Sequence, residues 1–192
     1  MCSLCGVLGG NEHWADAVAR PGVFTRNVER IDRRRERANR VRVANRVLSG
    51  FGMTLSDWQG ASFVLSTRTG KRYRLPKASE LTQAGAGLAK ACAGNVLDAD
   101  FRREFGGRGG AECSDGHAST APTGGFAAEK AGLYDTGGNV REWTSDCDAG
   151  NCRERQAIGA SWFSDIDDKP VRAFVADAAF NTIGLRVARE ID

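Results

Sequence analysis

Two carboxylates, Asp135 and Glu142, flank the short segment Thr136-Gly-Gly-Asn-Val-Arg141. Glycine and asparagine tolerate positive φ, so Asp135, Gly137, Gly138 and Asn139 predict a tight turn. Val140 to Trp143 then predicts a short strand with Val140 and Glu142 on one side. Such a turn would bring the two carboxylates together beside the bare carbonyls of Gly138 and Val140. Mixed carboxylate and backbone oxygens at flexible geometry are what a calcium ion takes as ligands. A plain β-turn with solvated acids is the competing reading, and spacing alone leaves both open.

Other residue types bound the chemistry further. With only two histidines, His13 and His117, a Ser-His-Asp arrangement has little to draw on. Asp165, Asp167 and Asp168 could serve as acid–base groups but read first as a solvated acidic loop. The six cysteines stand at 2, 5, 92, 113, 147 and 152. Cys147 and Cys152 bracket a loop short enough for a disulfide, and a reducing compartment would leave them as thiols. Cys2, Cys5 and His13 give three local zinc ligand types where a structural site needs four, so a frayed terminus is the plainer reading.

The elements that must position these groups follow from composition. The chain has 192 residues and 24 glycines, enough for one loop-rich domain with a core and an extension. Residues 26–46 carry nine arginines against Glu29, Asp32 and Glu36, a local +6 within an overall +3, which leaves the remainder at −3. Free of glycine and proline, residues 27–48 predict a basic helix from a possible cap at Asn27, with Ile31, Ala38, Val41, Val47 and Leu48 as a partial apolar stripe. A solvated basic face is favoured there over a nucleic-acid contact, because few aromatics interleave the arginines. A second helix is expected over 56–68, capped by Thr54 or Ser56 and carrying Trp58, Phe63 and Leu65, and a third from Ser79 to Cys92, weakened by Gly85 and Gly87. Residues 93–131 read as a long irregular loop that something must pin. No apolar run is long enough to span a membrane. The first residues lack a signal-peptide pattern, so a cytoplasmic location is the default expectation and no membrane partner is expected.

The segment Gly132-Leu-Tyr-Asp-Thr-Gly-Gly-Asn-Val-Arg-Glu-Trp143 resembles the signature of the formylglycine-generating-enzyme, or sulfatase-modifying-factor, family, whose usual form is GLYDM-GNVWEW. Four further stretches match that family in order. Gly70-Lys-Arg-Tyr-Arg-Leu-Pro76 resembles its GKRYRLP, and Thr120-Ala-Pro-Thr-Gly-Gly-Phe126 its TAPVGSF. Gly159-Ala-Ser-Trp162 resembles its GGSW, and Ile183-Gly-Leu-Arg-Val-Ala-Arg189 its closing IGFRVAR. The resemblance implies an α+β, loop-rich variant of the C-type lectin fold over residues 53–192, with residues 1–52 as an N-terminal extension. It also implies two structural calcium sites. One would use the side chains of Asn95 and Asp115 with the carbonyls of Val96 and His117; the other would use Asp135, Gly138, Val140 and Glu142.

Two departures shape the functional expectation. Catalytic members bind copper through a cysteine pair after the GGSW-like strand, and soft Cu(I) needs such thiolates. Counting from Gly159, those positions hold Ser164 and Lys169, so no copper is expected. The related sulfoxide synthases use three histidines on iron, more than this chain has. The second departure is at the front. Residues 1–69 lack the family's usual first layer; the opening resembles small uncharacterised bacterial C-x-x-C proteins, and the chain reads as a join near Thr69-Gly-Lys71. An exposed apolar patch would follow from a missing layer. Leu81 and Gln83 replace the family's aromatic pair, which predicts looser packing at the third helix. The expectation is a calcium-stabilised module that binds a peptide, protein or small molecule, of unknown identity, through a surface around residues 160–182. Trp162, Phe163, Asp165, Arg172, Phe174 and Asn181 are its candidate residues, Trp162 and Phe174 reading first as core. The alternatives are an oxidase acting on protein cysteine and a nucleic-acid-associated protein acting through Arg26–Arg46.

Overall fold

The computed structural model describes residues 41–43, 54–87, 89, 91–128 and 132–190. Cys2, Cys5, His13 and most of the basic segment lie outside the described residues.

The longest helix, α1 (Leu55–Thr69), begins where the sequence marks it. Thr54 is the N-cap, and Thr54 and Asp57 form a reciprocal capping box. The helix ends at Gly70, whose left-handed φ of 67° lets its N–H reach Ser66 O. Strand β2 (Tyr73–Arg74) follows, then α2 (Ala78–Gln83). Predicted to run to Cys92, α2 instead stops at Gln83, and Gly85 turns the chain at a φ of 107°. Leu81 is nonetheless fully buried against Ala86 and Ile158, so the leucine seats this short helix in place of an aromatic pair.

Two sheets organise the rest. The larger is built from β3 (Arg141–Asp148), β4 (Asn151–Ile158), β5 (Val171–Val175) and β6 (Ile183–Gly184), in the order β5-β4-β3-β6. The smaller has β7 (Ala188–Glu190) between β2 and β1 (Val41–Val43). Strand β1 corrects the predicted helix over 27–48: residues 41–43 are extended, with Val41 opposite Glu190 and Val43 opposite Ala188. Two β-branched residues spaced by two suit a strand, and pairing with β7 outweighs the helical propensity of the surrounding arginines. The remaining residues of that helix are outside the described ones.

The main core joins Leu55 and Leu65 of α1 to Leu75, Trp143, Ala157, Ile183, Leu185 and Val187. Trp143 is fully buried, with Phe174 and Phe180 edge-on to its ring. Burying aliphatic or aromatic side chains of this kind stabilises by about 1.5–3 kcal/mol each. Residues on both sides of Thr69-Gly-Lys71 pack into this one core, so α1 covers part of the surface that a missing first layer would leave open. Large apolar side chains are exposed even so, among them Phe63 of α1 at 72%.

Candidate functional site

The irregular segment 93–131 is pinned more firmly than its composition suggests. A disulfide joins Cys92 to Cys113, with Cα atoms 5.6 Å apart. It closes a loop holding a short helix, α3 (Ala99–Phe105), that the sequence reading passed over. Asp98 caps that helix: its Oδ1 accepts from the N–H groups of Asp100 and Phe101, while its Oδ2 accepts from Asp115 N. An acidic N-cap before a run of helix formers was the signal available in the sequence. Asp100 accepts from Ser114 Oγ at 2.6 Å, Gly116 N at 2.7 Å and Arg103 at 2.6 Å. The Ser114 and Gly116 bonds hold its carboxyl down at about 2.

Asp98, Asp100 and Asp115 thus form a compact carboxylate group, one oxygen of each lying within 4.8 Å of the others. Their roles differ. Asp98 and Asp100 spend their oxygens on backbone and side-chain donors and so shape the loop. Asp115 Oδ1 accepts from His117 N, while its buried Oδ2 accepts no hydrogen bond among the described residues. Burial pushes the Asp115 carboxyl above its ordinary value, and the charges of Asp98 and Asp100 add to that. Asn95 is similar. Its Nδ2 donates to Ser119 O at 2.7 Å, and its buried Oδ1 accepts nothing. Two buried oxygens without donors are costly, and they belong to the two side chains that the family resemblance assigns to one calcium ion. The residues present therefore fit a hard cation at this group.

The second predicted group abuts the first. Gly138 lies so close to Asn95 that an added Cβ would stand 2.7 Å from Asn95 O. Asn139 N donates to that same carbonyl at 2.6 Å, and its side chain holds both backbone groups of Ala121. Positive φ in this turn falls on Asp135 (61°) and Asn139 (68°), not on Gly137 or Gly138. Gly138 is needed for close approach rather than for its backbone freedom. Glu142 differs from Asp115. It is fully buried, and both its oxygens accept from Arg186, at 2.8 Å from Nε and 2.5 Å from Nη2. Arg186 also donates to Tyr134 O. Burial raises the Glu142 carboxyl against the pull of this guanidinium. A cation here would have to share the carboxylate with an arginine. Asp135 Oδ2 accepts from Gly124 N at 2.7 Å, tying the turn to the preceding loop. Val140 packs against Trp162.

Ser164 and Lys169 lie at the copper positions inferred from the family. Ser164 is buried, and its Oγ accepts from Ser161 N at 3.0 Å and from Arg141 Nη2 at 3.3 Å. The same guanidinium reaches Asp168 at 3.3 Å and the carbonyls of Gly159 and Lys169. Burial lowers Arg141 from its ordinary value, partly offset by Asp168. Arg141 stands where the family's usual signature has tryptophan, and its guanidinium lies on Ser164, which the family resemblance aligns with a metal-binding cysteine. A hydroxyl and a guanidinium do not fit Cu(I). Among the described residues every cysteine is in a disulfide, Cys147–Cys152 being the second.

The predicted ligand surface divides in two. Trp162 is mostly buried and donates to Asn181 O at 3.2 Å, while Phe174 packs on the main core. Phe163 is 56% exposed and touches Trp162 and Phe101, whose ring lies 5.1 Å from that of exposed Phe105. Asp165 binds Ile166 N beside this group, and Arg172 lies exposed over Phe174. The contributions of Phe101 and Phe105 follow from α3.

A loop-rich α+β fold with a pinned acidic loop beside a GNVREW turn defines a formylglycine-generating-enzyme-like domain. The chain belongs to that family: the profile of the sulfatase-modifying factor enzyme 1-like domain matches residues 11–191. The match begins well ahead of the first motif at Gly70, through the region read as unrelated. Three solved structures share the fold. PvdO from Pseudomonas aeruginosa aligns at 24% identity and a TM-score of 0.57, covering 74% of this chain and 62% of that one. CarF aligns at 18% and 0.54, covering 74% and 68%. Treponema denticola variable protein 1 aligns at 14% and 0.52, covering 77% and 72%. The chain thus spans less than two thirds of PvdO. Among curated proteins none matches it.

Proposed function

We propose that this chain is a calcium-stabilised binding domain of the formylglycine-generating-enzyme family and does not carry out copper-dependent cysteine oxidation. The observation that carries the reading is the hydrogen bond from Arg141 to Ser164, because it puts a buried cation where a copper thiolate would sit. The unpartnered Asn95 Oδ1 and Asp115 Oδ2 support calcium at the first group, with Val96 and His117 as backbone donors. There the ion would neutralise the acidic loop and hold α3 in place. Ligand contact is assigned to the surface beside the loop, through Phe163, Phe105, Asp165, Arg172 and Asn181. Two disulfides favour an oxidising compartment over the cytoplasm. Among the described residues no helix is long and apolar enough to cross a membrane.

The test is a Cu(I) titration of the purified chain together with incubation on a cysteine-containing sulfatase-type peptide. The expected outcome is no stoichiometric Cu(I) at Ser164 and no aldehyde in the peptide by mass spectrometry. Aldehyde formation by the unmodified chain would replace this reading with the oxidase one.

A further inference from the structure

The Cys92–Cys113 disulfide joins the two stretches that carry the oxygens assigned to calcium. Asn95 and Val96 follow Cys92 by three and four residues, and Asp115 and His117 follow Cys113 by two and four. Hydrogen bonds tie the same stretches further along. Ala111 N donates to Leu97 O at 2.8 Å, Ala99 N to Cys113 O at 3.0 Å, and Asp115 N to Asp98 Oδ2 at 2.8 Å. The covalent bridge is thus one strut among several around the donors, and it is the one that a reagent can remove. Cys92 is exposed between exposed Ala91 and Ala93, which offer neither bulk nor charge to keep a reagent away, whereas Cys113 is half-buried. Cys92 also holds a left-handed φ of 63°, which costs a non-glycine residue and persists only while its surroundings impose it.

Charge opposes the closed loop. Oxygens of Asp98, Asp100 and Asp115 lie within 4.8 Å of one another, and the ion pair from Arg103 goes to Asp100. The bridge and a bound cation each hold the two stretches together against that repulsion, so each favours the other. With the bridge closed, calcium meets donors already gathered. With it open, binding must itself close a loop whose ends are 21 residues apart in sequence. The Cys147–Cys152 disulfide differs, because it staples a hairpin that the β3–β4 ladder already fixes and neither flank carries an oxygen of the first group.

We propose that Cys92–Cys113 is a reversible redox site opened by a dithiol reductant, and that opening it releases the calcium ion held by Asn95 and Asp115. The coupling rests on the calcium-binding reading given under Proposed function. A thiolate of the dithiol attacks Cys92 Sγ and expels Cys113 as a thiolate, which takes up a proton. The second thiol of the reagent then attacks the mixed disulfide, frees Cys92 as a thiol and leaves the reagent as its cyclic disulfide. Two electrons pass from the dithiol to the two cysteine sulfurs.

Calcium calorimetry on the oxidised chain and on Cys92→Ser with Cys113→Ser tests this. The serine pair should bind calcium about tenfold or more weakly, while Cys147→Ser with Cys152→Ser binds as the unmodified chain does. Should the first serine pair disturb folding, the unmodified chain carries the test. In dithiothreitol buffers of graded redox ratio, calcium should protect Cys92–Cys113 by the same factor, because coupling is reciprocal. Mass spectrometry of alkylated peptides reads that bridge alone. Equal affinity with the bridge open and closed, or an opening indifferent to calcium, overturns the coupling and leaves the calcium reading standing. A bridge that dithiothreitol does not open in calcium-free protein also overturns it, as does an equal loss of affinity in the Cys147, Cys152 variant. An oxidised chain that binds no calcium overturns the calcium reading and the coupling together.

Discussion

Two oxygen-rich groups lie side by side, and they have been finished differently. At the first, Asp98 and Asp100 satisfy the loop backbone, leaving Asn95 Oδ1 and Asp115 Oδ2 buried with no donor. At the second, Glu142 is as deeply buried, but Arg186 supplies donors to both its oxygens. Asp100 of the first group has an ion pair with exposed Arg103, yet Asp115 Oδ2 stays without a donor among the described residues, whereas buried Arg186 takes both oxygens of Glu142. At the second group a cation would have to share Glu142 with Arg186. What separates Glu142 from Asp115 is the guanidinium of Arg186, which reaches Glu142 from the segment between β6 and β7.

The largest expected effect comes from undoing the built-in charge. Arg186→Ala leaves Glu142 buried and unpaired and should destabilise the fold by about 3–5 kcal/mol, read from urea denaturation. The double variant Arg186→Met with Glu142→Leu should be much milder than Arg186→Ala, since no charge is then stranded. If Arg186→Ala is nearly neutral, the pair is not what completes this group.

Next in size is the contact between the two groups. Gly138→Ala puts a Cβ 2.7 Å from Asn95 O and should cost about 1–3 kcal/mol. Because Asn95 belongs to the first group, the same change should weaken calcium binding there. A variant with unchanged stability and calcium affinity would separate the two groups again. Asp98→Ala removes the acceptor for three backbone N–H groups and should cost about 1–2 kcal/mol, with loss of α3 visible as faster amide exchange over 99–105.

The smallest expected effect is on acid stability. Asp100 is held at about 2, below its ordinary 3.8. A carboxyl lowered by folding contributes stability that is fully present above its unfolded value and lost as pH falls through its folded one. Denaturation midpoints should therefore fall between about pH 4 and pH 2, and Asp100→Asn should flatten that part of the profile. An unaltered profile would mean that the Ser114 and Gly116 bonds do not set this group.

Much of this arrangement was written locally in the sequence. Thr54 is one of two caps that the sequence offers for α1, and the closeness of Cys147 to Cys152 allows their disulfide without deciding it against free thiols. The family motifs from Gly70 to Arg189 point to the fold that the described residues adopt. What escaped depends on distant partners. Arg186 lies in the closing motif, and nothing near Glu142 predicts that it will take that carboxylate. Cys92 and Cys113 are separated by 21 residues, a span with no fixed geometry until the loop folds. Val41 to Val43 lie in an arginine-rich stretch whose local propensity is helical, and only β7 makes them a strand. Arg141 sits inside the most recognisable motif of the chain, yet its significance appears only when its guanidinium is seen on Ser164.

Calcium titration of chelator-stripped protein by isothermal calorimetry tests the central contrast most directly. The account predicts one equivalent bound, with a rise in melting temperature worth about 2.7 kcal/mol at a hundredfold excess over Kd. Asp115→Asn, which keeps the shape and removes the charge, should lose most of both. Absence of binding, a second equivalent at the Glu142 group, or binding unchanged in Asp115→Asn would contradict it.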